Sequence, residues 1–201
     1  MKALPFAFAA ALDAVAVPTQ AQTVEHQIRR EPKLAYTMQQ TPTFNVSGPK
    51  DKRVTPLEWL EVEVEIDVET VRKSGFLDEL TGTFYIALKD VETNKTIVLE
   101  DKITFIDINA RDKKAWLVAY VSPATLAKTL NKEKPSVNDI FAVAVSVSGP
   151  GIKEEVTGTS PGSPKDWWKS AALTRKNGFV LPKSKTVFAP LWGDRHPMTK
   201  D

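Results

Sequence analysis

Three features of the sequence predict an all-β fold. The stretch EWLEVEVEIDVE at 58–69 alternates apolar and acidic side chains with a period of two, further short apolar segments recur between turn residues, and only one segment carries helix-start chemistry. A series of short strands separated by turns, antiparallel in pattern, predicts an immunoglobulin-like antiparallel β-sandwich with one short helix and extended N- and C-terminal arms. The expected division is a leader (signal peptide) over 1–21, an N-terminal arm over 22–55, the sandwich over 56–156, and a linker with a C-terminal arm packing on the sandwich over 157–201.

The elements follow in chain order. Lys2, the mostly apolar ALPFAFAAALDAVAV and the small residues around Ala21 make a leader with a cut before Gln22, although Asp13 interrupts its apolar run. From Gln22 to about Thr55 the chain is polar and broken by Pro32, Pro42 and Pro49, which reads as an extended arm with a short edge strand around 41–47. The acidic alternation then puts Leu60, Val62, Val64, Ile66 and Val68 on one face of a strand and five carboxylates on the other. TFYIALKD, the turn ETNK and TIVLED predict a hairpin; ITFIDIN and AWLVAYVS around ARDKK predict a second. Ser122 and Pro123 predict the cap and first turn of a helix ending near Leu130. DIFAVAVSVS is a further strand closed by Gly149, Pro150 and Gly151. Beyond it TGTSPGSPKDWW reads as a linker, and 171–194 holds an Asn-Gly turn at 177–178 and two apolar clusters.

Composition narrows the chemistry. The sequence has no cysteine, which removes disulfides, thiolate nucleophiles and a lipid-bearing cysteine. A cysteine-free exported domain points to a bacterial periplasm, the outer surface or secretion. The formal net charge of +2 gives no support to nucleic-acid binding. Its distribution is uneven: residues 165–201 carry eight Lys/Arg against three Asp/Glu, while 22–164 carry 18 against 21. No run after the leader reaches the ~20 apolar residues that span a bilayer, so no membrane span is expected in the mature chain.

Candidate site residues are few. Glu61, Glu63, Glu65 and Asp67 stand in a row at strand spacing of about 7 Å, too far apart to wrap a metal ion, and catalysis by such a pair would need a cleft and one raised pKa. The row therefore reads first as a solvated or charge-paired sheet face and second as an acidic interaction surface. His26 and His196 lie in the arms with no metal or triad motif around them and are expected as incidental surface residues. Trp167, Trp168 and Trp192 in the C-terminal arm either anchor that arm by burying apolar area or stack on sugar rings, which keeps a glycan among the candidate partners. NVS at 45–47 and NKT at 94–96 match the glycosylation sequon. Phosphate loops of the P-loop type are absent, and no catalytic, cofactor or metal residue is assigned.

With its leader, its cysteine-free strand series at 57–148 and the tail KSKTVFAPLWGD at 183–194, the sequence resembles the immunoglobulin-like surface proteins that some mucus-dwelling bacteria encode beside type IV pilus-like genes. The resemblance implies a structural or adhesive role without catalytic residues, and it carries over no functional site. It departs from antibody-type domains in lacking their Cys and Trp pattern. No pilin-like leader followed by a long apolar helix is visible, which favours an accessory role over that of a major pilin subunit. The expectation is a non-enzymatic exported protein of a cell-surface or pilus-like assembly that binds protein partners or itself; a carbohydrate-binding module is the alternative. The acidic row is expected to be offset by cations from neighbouring strands or from the basic C-terminal arm.

Overall fold

Strand β3 (Glu58–Thr70) can lie only one way, because its two faces differ completely. In the computed structural model, which describes residues 26–43 and 55–200, its five apolar side chains from Leu60 to Val68 are fully buried and the acids between them are half-buried. The expected leader and the Asn45 sequon lie outside the described residues.

Two sheets sandwich that core. The first holds β3 with β1 (His26–Ile28) and β2 (Lys33–Gln40) along one edge and β6 (Lys114–Val121) along the other, followed by β10 (Val180–Pro182). The second runs β11 (Met198–Thr199), β5 (Lys95–Asn109), β4 (Phe76–Asp90), β7 (Ile140–Ser148) and β8 (Val156–Thr159), with β9 (Thr174–Lys176) parallel to β5. The chain crosses between sheets from β3 to β4, from β5 to β6, and from β6 through helix α1 (Pro123–Leu130) to β7. This is the Greek-key connectivity of an immunoglobulin-like β-sandwich. The helix starts as expected: Ser122 Oγ accepts the Thr125 N–H at 3.2 Å, and Asn131 ends it in the left-handed region.

Two expectations are corrected. Of the stretch 41–47 expected as a strand, 41–43 form none and the rest lies outside the described residues; the arm strand that is described spans 33–40, where Leu34, Tyr36 and Met38 pack against the core and the chain pairs with β3 from Lys33↔Glu65 to Gln40↔Glu58. The segments 103–109 and 115–122 do not form a hairpin: β5 and β6 belong to opposite sheets. Instead β6 pairs with β3 along its whole length, burying Leu117, Ala119 and Val121 in the core while Lys114 and Tyr120 on its outer face meet Glu65 and Glu61. A short turn serves a change of sheet as well as it serves a hairpin.

The two sides of the sandwich close differently. On one, β8 approaches the backbone at Pro32 so closely that only Gly158 fits, since a Cβ there would collide with the Pro32 carbonyl oxygen. On the other, the chain after β8 wraps as a belt. It covers the outer face of the second sheet, lays β9 on the free edge of β5, lays β10 on the free edge of β6, crosses the outer face of the first sheet and returns to β5 as β11. Asp101 of β5 clasps the belt in passing, its carboxylate accepting the backbone N–H groups of Gly178, Phe179 and Val180 at 2.7–2.9 Å. Gly178, at φ +85°, supplies the left-handed turn that aims those donors.

Candidate interaction surface

The outer face of the first sheet carries the acidic row, and every member of it has a partner. Glu61 accepts the Tyr120 hydroxyl at 2.7 Å. Glu63 receives two bonds from Arg195, at 2.8 and 2.6 Å, and lies 2.9 Å from His196 Nε2. Glu65 binds Lys114 at 2.7 Å, with Lys33 at 3.5 Å. Asp67 pairs with Arg30 at 3.4 Å, and Glu69 with Arg29 and with Lys113, the latter at 3.2 Å. Cations of neighbouring strands and turns thus offset most of the row, and the belt supplies those of Glu63.

That belt segment is one tight turn. The Trp192 carbonyl accepts the N–H groups of both Arg195 and His196, with Trp192 in the left-handed region at φ 52°. Arg195 lies 4.6 Å over the Trp116 ring, a cation–π contact that fixes the guanidinium above the sheet. Just upstream, fully buried Phe188 stacks on Tyr120 at 4.8 Å, with Trp59 edge-on at 5.8 Å and Trp192 at 6.0 Å. Lys183 is buried beside it and donates to the Leu191 carbonyl at 2.6 Å.

Electrostatics follow from these contacts. The hydrogen bond from Arg195 outweighs desolvation and holds the Glu63 carboxyl below its ordinary range, and Lys114 does the same for Glu65. Burial raises the Tyr120 phenol, and its bond to Glu61 raises it further, so the hydroxyl stays a donor. For His196 burial dominates and depresses the pKa below 6.5, against the pull of Glu63.

Both histidines depart from expectation. His26 and His196 are buried, at 4% exposure each. His26 Nδ1 lies 2.9 Å from Thr70 Oγ1 where β1 joins β3, and the His196 side chain closes the Glu63 site, its Nδ1 having no partner among the described residues. The acidic alternation itself was the available signal, since half-buried carboxylates must find donors somewhere in the chain.

The tryptophans divide. Trp168, 3% exposed, stacks on Tyr85 at 5.9 Å on the second sheet and meets Trp167 edge-on. Half-buried Trp167 donates from Nε1 to Thr159 Oγ1 at 3.3 Å. These two anchor the belt. Trp192 keeps 41% of its surface open and borders a hollow of about 190 Å³ with Gln39, Glu61, Glu63, Arg195 and His196. The acids and Trp192 therefore converge on one face, whereas Trp167 and Trp168 lie on the opposite sheet. Among the described residues no group of three or more His, Cys, Asp or Glu side chains is arranged to hold a metal ion, and no helix is long and apolar enough to cross a membrane.

Comparisons with known proteins extend this picture. A search of the curated proteins finds no match. Among solved structures, a crystal structure from Akkermansia muciniphila superposes with a TM-score of 0.77 at 23% sequence identity, covering 90% of this chain and 99% of that one, which establishes the shared fold. A family model matches residues 18–201, so it takes in the sandwich and the belt together. The chain belongs to that family of β-rich proteins.

Proposed function

We propose that this protein is an exported, non-enzymatic β-sandwich that serves as a structural or adhesive component of a cell-surface or pilus-like assembly. The belt is the observation that carries this reading. A chain without cysteine cannot staple its sheets covalently, and here the C-terminal segment does so through two aromatic stacks, three added strands and the Glu63 clasp. Such fastening suits a module that works through its surfaces while resisting opening outside the cell. The acids that could have served catalysis are engaged with Arg, Lys, Tyr or His partners. The leader and the resemblance to surface proteins encoded beside pilus-like genes point the same way. Protein partners or further copies of the chain are the expected binders.

Intact mass and cell fractionation of the native protein test the proposal. A mature start at Gln22 in an extracytoplasmic fraction, with cross-links to envelope proteins or to itself, supports it. An uncleaved chain in the cytosol, or turnover in a hydrolase screen that is lost in Glu61→Gln or Glu63→Gln, overturns it.

A further inference from the structure

The half-open Trp192 needs an explanation that anchoring does not supply. Phe188 already fills the space over Tyr120 with no exposed surface, so the belt is held there without a second indole beside it. Trp192 instead stacks on Phe188, meets His196 at nearly a right angle and keeps 41% of its surface exposed. Its position is fixed by the turn whose two N–H groups its carbonyl accepts.

The hollow beside it is lined by strand β2 and β3 on one side and the belt turn on the other. Gln39 contributes an amide with no hydrogen-bond partner among the described residues, and Glu61 spends one carboxylate oxygen on Tyr120 while its other has none. Arg195 and Glu63, by contrast, neutralise each other through their paired bonds. A partly exposed indole beside an amide and a carboxylate is matched by a ring with an apolar C–H face and vicinal hydroxyls at its rim: the indole takes the apolar face, and planar acceptors and donors take the hydroxyls. The residual charge of the hollow is that of Glu61, which disfavours an anionic ligand.

We infer that the hollow between Gln39, Glu61 and Trp192 is a subsite for one neutral sugar ring. The inference rests on the adhesive form of the function proposed above and names its ligand class. The hollow is shallow, so a single ring binds weakly and useful attachment comes from several copies acting together.

The test is a titration of the chain from Gln22 with glucose, galactose, N-acetylglucosamine and glucuronate, followed by the indole N–H resonances in two-dimensional NMR. The expected result is saturable movement of the Trp192 signal by at least one neutral sugar at millimolar concentration, no such movement with glucuronate, and binding weakened about tenfold by Gln39→Ala, an edge-strand substitution that leaves the core untouched. Trp192→Phe, which keeps the belt packing, weakens it less than Trp192→Ala, and Trp167→Phe leaves it unchanged. No saturation with any neutral sugar overturns the subsite, as does binding that Gln39→Ala and Trp192→Ala both leave intact, or equal binding of glucuronate. Because the location of the native protein is read separately, a null titration with an extracytoplasmic protein removes the subsite alone.

Discussion

The belt grips its two sheets by different chemistry. Over the outer face of the second sheet the attachment is apolar: Trp168 stacks on Tyr85, and the outer side chains around it, Ala87, Val98, Ala142 and Ala144, are small or aliphatic and buried, while the charged contacts of Asp101, of Arg175 with Glu100 and of Lys176 with Asp90 lie along β5 and the end of β4. On the first sheet Phe188 gives an equivalent aromatic stack, but beside it Arg195 and His196 lock onto Glu63. Apolar burial stabilises without regard to pH, whereas the clasp depends on three protonation states. The difference teaches that charge lies at the margin of the grip on the second sheet, along β5, whereas on the first sheet it sits within the grip and orients it.

Ways to break that comparison run from large to small. Deleting 165–201 exposes both outer faces and the edges of β5 and β6, and should abolish cooperative unfolding in urea, followed by circular dichroism. Phe188→Ala should cost about 4 kcal/mol and Trp168→Ala about 3 kcal/mol by chemical denaturation, since each empties a buried aromatic site. Similar losses would show that both grips are needed. Glu63→Gln should cost about 1–2 kcal/mol at pH 7, less than a buried pair because Arg195 is 47% exposed. Lys33→Ala, which touches only an exposed pair, should change stability by less than about 0.5 kcal/mol.

Acidification separates the two grips further. His196 has a folded pKa below 6.5, so its neutral form favours the folded state; that contribution is complete above 6.5 and is lost as pH falls toward the folded value. Glu63, depressed by Arg195, contributes above its ordinary 4.5 and loses that contribution as pH falls through its lower folded value. Wild-type stability should therefore decline from pH 6.5 downward, first through His196 and then through Glu63. His196→Phe should flatten the upper part of that decline, measured as urea midpoints at pH 7.5 and 5.5, while Trp168→Ala keeps the wild-type slope.

Much of this was legible in residue order. The period-two alternation of β3 gives its buried face, and the need of five carboxylates for partners anticipates the cations that the structure supplies. Ser122 and Pro123 announce the helix. What stayed hidden was pairing across long separations. Nothing near ARDKK distinguishes a hairpin from a sheet change, because β6 finds its partner in β3, some fifty residues earlier. The polar run at 33–40 hides Leu34, Tyr36 and Met38, which alternate toward the core among Lys, Thr and Gln. His196 looked incidental because its partner Glu63 is distant in sequence. Three tryptophans in one arm look alike in sequence, yet Trp168 is an anchor and Trp192 is half open, a difference made by the opposite sheets they reach.

The central claim is that the belt is part of the same cooperative unit as the sandwich it surrounds. Native-state hydrogen exchange of the full chain at neutral pH measures this directly. The account predicts that the amides of Val180, Leu191 and His196, each hydrogen-bonded within the belt or to Asp101, open with the same free energy and the same denaturant dependence as Val62 and Val64 in β3. Belt amides that open at least about 3 kcal/mol more easily than β3, with little denaturant dependence, would show an arm lying on a finished domain and would contradict it.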